Sequence, residues 1–366
     1  MTIFFILNIY NLLFILSLIY GFITKINFYL YNIKFLKTYK VKTKVVSIGN
    51  IIVGGSGKTP LTIYICNLLN DKGYRVAVVG RGYGRNNSKN VILKQNQINL
   101  ELSAEQIGDE MLEIYQNTNA DVYIGKKKYE MVIIADEVNP KYDFIIIDDG
   151  FQHFKIKKYI EIVILDDHTI NEKFLLPKGR LRENFQSLNR ADIIVTRNIK
   201  LNDISNLLNN HNLKLNSNIS LYDINYEINH IINYSSLLSQ NINDFVTYNN
   251  NINNKFSLIT AIANPNRFLE NIEKIGLEIQ QSFKFRDHHN FKLNEIKSII
   301  QNNDITVNFI TTEKDFVKLK PLLIQLDNIN NTNIIDRFYF VKLELIEINN
   351  NNKINLINQI INFNKN

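Results

Sequence analysis

The stretch Val45-Val46-Ser47-Ile48-Gly49-Asn50-Ile51-Ile52-Val53-Gly54-Gly55-Ser56-Gly57-Lys58-Thr59-Pro60 decides the fold class. An apolar, β-branched run enters a glycine-rich turn, then Lys-Thr, then proline. Proline suits the first turn of a helix, where its missing N–H is not needed, so the order reads strand, loop, helix. Glycines let a backbone wrap a phosphate, and the N–H groups that open a helix bind anions. Ile52, Val53, Gly54, Gly55, Ser56, Gly57, Lys58 and Thr59 are therefore the candidate ATP-binding loop. In such a loop Lys58 reaches the β- and γ-phosphates and the Thr59 hydroxyl ligates Mg²⁺. The strict pattern asks for glycine five residues before Gly57, and Ile52 stands there.

Outward from this loop, apolar runs alternate with helical patterns. Strands are predicted at Lys44–Ile48, Arg75–Val79, Phe144–Ile147, Glu161–Leu165 and Asp192–Thr196, and helices at Pro60–Lys72, Ile107–Gln116 and Lys126–Glu137. Continuous apolar strands alternating with helices indicate a parallel sheet covered on both faces. From Lys200 to Asn254 the pattern weakens into Asn-rich sequence, and the tract Asn249–Asn254 reads as a linker or loop. A second α/β block follows, with strands at Phe256–Ala261, Thr306–Thr311 and Arg337–Leu343 and helices at Arg267–Ile275 and Leu293–Asn302. The expected class is α/β: a P-loop NTPase-like parallel-sheet domain, a second smaller α/β domain and an N-terminal membrane helix. The expected boundaries are 1–40 for an anchor with its basic flank, 41–248 for the P-loop domain and 249–366 for the C-terminal domain.

The segment Phe144-Ile145-Ile146-Ile147-Asp148-Asp149 is an apolar strand tipped by two carboxylates. An acid at such a tip holds Mg²⁺ directly or through water in P-loop enzymes, and Asp148 is the better placed of the two. The following Gln152 and His153 bring two polar side chains toward the phosphates, or else form a plain turn.

Met1 to Thr24 contains no charged side chain, and lysines follow at Lys25, Lys34, Lys37, Lys40, Lys42 and Lys44. A spanning helix takes about 20 apolar residues, and positive charge after the span holds the remainder on the cytoplasmic side; Asn8, Asn11 and Ser17 are costly in the bilayer interior, so the anchor either spans or lies in one leaflet. No basic region precedes the apolar run and no small-residue cleavage site follows it, which argues against a signal peptide. Tyr20, Phe28, Tyr29 and Tyr31 suit an interfacial belt. The single cysteine, Cys66, excludes an intramolecular disulfide, and the net charge of +7 fits an anionic partner without choosing one.

Taken together, Gly54–Pro60, Arg81-Gly82-Tyr83-Gly84, Gly108-Asp109-Glu110, Asp148–His153, Leu176–Glu183, Ala263-Asn264-Pro265, Asp287-His288-His289 and Thr311–Asp315 resemble the tetraacyldisaccharide 4′-kinase family. The resemblance implies transfer of the ATP γ-phosphate to the 4′-hydroxyl of a tetraacylated glucosamine disaccharide 1-phosphate, in lipid A biosynthesis at the inner membrane. It also implies two α/β/α domains with the active site in a cleft. Asp109 is then the general base and His288 its partner, where position alone also suits an N-cap aspartate and a loop histidine. Arg180, helped by Arg182, is expected on the substrate 1-phosphate or the transferring phosphoryl group, and Arg81, Gln152 and His153 in the sugar site. Met111 and Arg286 depart from the family, where proline is common. The expected partners are the acylated disaccharide and the inner membrane, with no nucleic acid and a monomeric enzyme. Two other readings share the loop: a membrane-bound regulatory ATPase and another P-loop biosynthetic ligase. The ligase reading accounts for neither the N-terminal anchor nor the Pro177–Glu183 run, and a regulatory ATPase needs no lipid acceptor.

Overall fold

The structure, a computed structural model, describes residues 2–86, 89–95, 102–199, 201–210, 213–236, 238–262, 264–287, 289–330, 332–348 and 355–363. In chain order the first elements are α1 (Thr2–Asn32), β1 (Lys44–Gly49), α2 (Lys58–Asp71), β2 (Val76–Gly80), β3 (Val91–Leu93), α3 (Ala104–Ile107), α4 (Asp109–Asn117), β4 (Asp121–Ile124) and α5 (Lys128–Asp136). Next come β5 (Phe144–Asp148), β6 (Ile160–Asp166), α6 (Asp167–Asn171), β7 (Ile193–Arg197), α7 (Leu201–Asn210), β8 (Ser220–Asn233), β9 (Ser239–Asn241) and α8 (Ile242–Asn251). The last are β10 (Lys255–Thr260), α9 (Pro265–Lys274), β11 (Ile279–Lys284), α10 (Leu293–Gln301), β12 (Val307–Thr312), α11 (Glu313–Asn330), β13 (Phe338–Glu347) and α12 (Leu356–Ile361). They form two compact units, one of residues 1–102, 111–225 and 346–366, the other of 103–110 and 226–345.

In the first unit the strand order is β8-β7-β6-β1-β5-β2-β4-β3. All neighbours are parallel except β3 against β4. The central strands are apolar end to end because helices cover both faces: every residue of β2 and β5 is buried. One face packs Val45, Ala77, Val79, Ile145 and Ile147 on Met131, Val132 and Ala135 of α5. From β1 the chain crosses over β5 to β2, whereas β6, β7 and β8 lie on the other side of β1. The order therefore reverses at β1, and open α/β sheets bind ligands beyond the carboxyl ends of strands at such a switch point. The loop after β1 is the glycine-rich one.

Helix α1 contains residues 10–32, a stretch long and apolar enough to cross a membrane and almost entirely exposed. Its 31 residues span about 46 Å at ~1.5 Å per residue. Not all of the expected aromatic belt is free for lipid. Phe28 and Tyr31 pack on Phe154, with ring centroids 5.4 and 5.7 Å apart, and the Arg190 guanidinium lies 4.8 Å over Phe28. Tyr29 is exposed.

The second unit has the order β11-β10-β12-β13 in parallel register. Its core gathers Phe256, Leu258, Phe268, Ile272 and Ile310, and on its other side Phe291, Ile296, Phe309, Leu319 and Phe338. Two expectations change. The tract Asn249–Asn254 is not a linker: α8 continues to Asn251, and the buried Asn249 donates to the Phe245 carbonyl at 2.8 Å and accepts from Asn254 at 2.7 Å. Asparagine here satisfies hydrogen bonds that composition reads as disorder. The chain also divides elsewhere than at 248/249. Residues 226–248 belong to the second unit and 346–366 to the first, where α12 buries Leu356, Ile357 and Ile360.

Candidate active site

Strand β1 lies between β5 and β6, with Ile48 level with Asp148 and Gly49 level with Val163. The close approach demands small residues, since a Cβ on Gly49 would stand 2.6 Å from that of Phe151. The loop then pairs with the segment 180–182. Val53 N donates to the Arg180 carbonyl and Arg182 N to that of Ile51, both at 2.8 Å. Ile52 forms an antiparallel bridge to Leu181 and is buried. This explains the missing glycine: position 52 is extended, bridged and inserted in the core. The left-handed turns come later, at Gly54 (φ 116°) and Gly57 (φ 89°). Arg180 covers this turn by donating Nε (3.1 Å) and Nη2 (2.8 Å) to the Val53 carbonyl, so it braces the loop backbone. Below it, the buried Asn50 carboxamide donates to Ser56 Oγ at 2.6 Å. Gly57, at the N-cap of α2, supplies no side-chain cap that would compete for the first-turn amides.

Asp148 ends β5, is 3% exposed and accepts from Thr62 Oγ1 at 3.4 Å. Asp149 follows at φ 50°. This strained turn is held from beneath by Lys128, whose buried Nζ donates to the Asp148 and Asp149 carbonyls at 2.7 and 2.8 Å. Burial pushes the Lys128 pKa down, while the two carboxylates pull it back up. The Asp149 carboxylate takes Arg182 Nη1 at 2.8 and 2.9 Å, with Lys58 Nζ 3.8 Å away. Burial pushes the Asp149 pKa up, but Lys58, Lys128 and Arg182 outweigh it and hold the carboxyl down at about 2. Gln152 ties the turn to the loop: Nε2 donates to the Asn50 carbonyl at 2.8 Å, and Oε1 accepts from Arg182 at 3.4 Å. His153 stacks on Tyr129 at 6.5 Å. Burial, then Lys128, Lys158, Lys155 and Arg81, lower its pKa to about 4, so the ring is neutral at pH 7.

Thus Ile52–Thr59, Asp148, Gln152, Arg180 and Arg182 come together on one side of the first unit. Thr59 is buried in the opening turn of α2. A threonine hydroxyl and a carboxylate are hard oxygen donors, as Mg²⁺ requires. That ion commonly takes one or two carboxylates plus substrate phosphates and water, and the glycine turn covered by the Arg180 guanidinium belongs to the same loop as Thr59. The donor set fits Mg²⁺ with a nucleotide. Among the described residues no group of three or more His, Cys, Asp or Glu could hold a metal unaided. Arg81 is exposed just past β2. Met111, the departure from the family, is buried against Gly80, where a Cβ would lie 2.0 Å from its Sδ. Lys178 Nζ sits over the rings of Phe174, Phe14 and Tyr10, at 3.9, 4.5 and 5.2 Å.

In the second unit Asp109 opens α4 and is 8% exposed. Its Oδ2 lies 3.1 Å from Lys318 Nζ and 3.5 Å from Lys314 Nζ. His288 lies outside the described residues. Its neighbour His289 is held by Glu295 at 2.9 Å and stacks on Phe285.

The profile of the tetraacyldisaccharide-1-phosphate 4′-kinases matches residues 9–362. The chain belongs to this family. The Tetraacyldisaccharide 4′-kinase of Wigglesworthia glossinidia brevipalpis is 33% identical over 312 residues, 83% of this chain and 75% of that one. That of Bdellovibrio bacteriovorus is 32% identical, covering 84% and 88%, and that of Flavobacterium psychrophilum 31% identical, covering 96% of each. LpxK from Aquifex aeolicus, solved in complex with ATP, superposes with a TM-score of 0.69 over 93% of this chain and 95% of that one, at 22% identity. That last likeness concerns the fold. Tetraacyldisaccharide 4′-kinases are ATP-dependent kinases, and this member is an α/β enzyme of that kind.

Three residues that hold the groups described above carried no sequence signal. Lys128 stands in a Lys-Lys-Lys run that looks solvated, Asn50 is one asparagine among many, and Lys318 is one of three lysines in the seven residues from Lys314 to Lys320. Only the spacing of Lys314 and Lys318, four apart on one helix face, could have hinted at a shared target.

Proposed function

We propose that this chain carries out its family's reaction, moving the γ-phosphoryl group of ATP to the 4′-hydroxyl of a tetraacylated glucosamine disaccharide 1-phosphate, with the following division of labour. The observation that carries the reading is the joining of the glycine-rich loop, Lys58 and the Asp148-Asp149 turn in a chain that matches the family over residues 9–362. Residues 54–59 bind the triphosphate through backbone N–H groups, Ile52 and Val53 being committed to the pairing with residues 180–182, and Lys58 places positive charge at the γ-phosphate. Thr59 and Asp148 would hold Mg²⁺, which would supply positive charge against the triphosphate. Arg182, oriented by Asp149, offers a planar fork to phosphate oxygens. Arg180 keeps the loop in its phosphate-binding shape and presents its remaining donors to substrate. Asp109, assisted by His288, accepts the proton of the 4′-hydroxyl as its oxygen bonds to phosphorus and the bond to the leaving ADP oxygen breaks. Arg81, Gln152 and His153 line the sugar site.

Helix α1 supports an attachment to the inner membrane with the catalytic units on the cytoplasmic side, the lysine-rich flank from Lys34 to Lys44 meeting anionic headgroups at about 1 kcal/mol per basic residue. Four acyl chains keep the acceptor in the bilayer, so an anchored monomer meets it at the headgroup plane. The test is phosphoryl transfer from γ-labelled ATP with Mg²⁺ and tetraacyldisaccharide 1-phosphate in detergent. Label at the 4′ position supports the reading. Steady ATP hydrolysis without transfer to lipid would replace it with a regulatory ATPase.

A further inference from the structure

We propose that Lys318, together with Lys314, is a positioning residue that keeps the Asp109 carboxylate ionised and fixed through its Oδ2, so that the kinase always presents a ready proton acceptor. The inference rests on the reading of Asp109 as that acceptor and names the device that sustains it.

The geometry has three parts. Both lysines converge on one oxygen, at 3.1 and 3.5 Å, and their side chains are 10% and 18% exposed against 7% for Asp109. They stand four residues apart on α11, hence on one helix face. The helix itself is fixed. Asp315, fully buried at its start, accepts from Thr260 Oγ1 (2.8 Å), Ala261 N (2.9 Å) and Thr312 Oγ1 (3.0 Å), and Phe316, Leu319, Leu323 and Leu326 are buried along it. The ammonium groups are therefore mounted on a helix bolted to β10 and β12.

A buried carboxyl tends to take up a proton, because burial disfavours its charged form, and a protonated carboxyl cannot accept another. A nearby cation reverses this. A purely structural ion pair requires one cation; the second, on the same oxygen, adds positive charge to a sheltered site and is explained by a carboxylate that must stay ionised and in one rotamer. The cost is basicity, which an acceptor can concede when the attacked group is an activated phosphoryl.

The experiment measures kcat and KM for ATP in the labelled-transfer assay for Lys318→Met, Lys318→Arg, Lys314→Met and Asp109→Asn, and for Lys318→Met combined with Asp109→Asn. Lys318→Met is expected to lower kcat about 10- to 100-fold with KM for ATP changed less than about threefold. Lys318→Arg restores kcat to within about fivefold of wild type, and Lys314→Met falls between. In the Asp109→Asn background, Lys318→Met has no further effect, because its target is gone. Should Lys318→Met fail to fold, Lys318→Arg and Lys314→Met carry the same comparison. A full multiplicative loss in the double variant, or unchanged kcat in Lys318→Met and Lys314→Met, overturns the proposal while leaving Asp109 as the acceptor. Near-wild-type transfer by Asp109→Asn instead overturns the reading of Asp109 itself.

Discussion

Replacing Lys128 by methionine keeps the length of the side chain and removes the ammonium that holds the Asp148-Asp149 turn. Two carbonyl oxygens, bonded at 2.7 and 2.8 Å, lose a charged donor, and hydrogen bonds to charged groups contribute about 1.5–3 kcal/mol each. Against this stands the recovered cost of burying the ammonium, visible in its lowered pKa. Breaking such a buried contact from one side costs about 3–5 kcal/mol, and the partial recovery brings the net to about 3 kcal/mol. For a unit of this size each kcal/mol moves Tm by about 2–4 °C, so the unfolding midpoint should drop by about 6–12 °C. The turn also carries the left-handed Asp149, a conformation costing about 1–2 kcal/mol, so it relaxes once released. Asp148 then leaves its place beside Thr62, and transfer falls further than stability does: kcat at 20 °C, well below the midpoint, drops at least tenfold. Differential scanning fluorimetry and labelled transfer at several Mg²⁺ concentrations read both effects. A Tm within 1 °C of wild type together with unchanged kcat would falsify the idea that Lys128 supports the turn.

Gly54→Ala places a Cβ at φ 116° and 2.3 Å from Arg180 Nη2, so KM for ATP should rise at least tenfold, and the strain of about 1–2 kcal/mol should lower Tm by about 2–8 °C; an unaltered KM would mean that the loop tolerates a side chain there. His153 has a folded pKa near 4, below its ordinary value of 6.5. Between those pH values the unfolded chain binds the extra proton, so stability is full above about pH 6.5 and falls by up to about 3 kcal/mol on acidification to pH 4. His153→Gln should flatten that part of the curve in urea titrations, and an unchanged slope refutes the assignment. Ile360→Ala, in the tail helix with no exposed surface, should cost about 2–4 kcal/mol. No loss in chemical denaturation would show that α12 is not docked in the first unit. Lys58→Ala should abolish transfer while leaving the midpoint of unfolding within about 2 °C, and retained activity would remove the loop from the mechanism.

Legibility varied with how local the cause was. The P-loop, Thr59 and the strand tip at Asp148 follow from short-range chemistry, so they could be read directly. β8, a 14-residue strand, was invisible because its apolar residues come with Asn, as in Ile224-Asn225 and Ile228-Asn229, in a chain where Asn is everywhere. Helix α11 was missed across Pro321, which lies inside it. Arg180 was legible as a basic residue near phosphate chemistry, but not as the brace of the Val53 carbonyl.

By itself the sequence determined the parallel α/β sheet, the nucleotide loop, the apolar N-terminal helix and the family, because each rests on residues adjacent in the chain or on their period. Tertiary structure decided which cations serve which carboxylates. Lys128 lies 20 residues from the Asp148 carbonyl that it holds, Arg182 lies 33 from Asp149, and Lys318 reaches Asp109 from a distant helix. Coulomb attraction and hydrogen bonding depend on separation in space, set here by the sheet order and the mounting of α11. No local pattern in a lysine-rich chain encodes that separation.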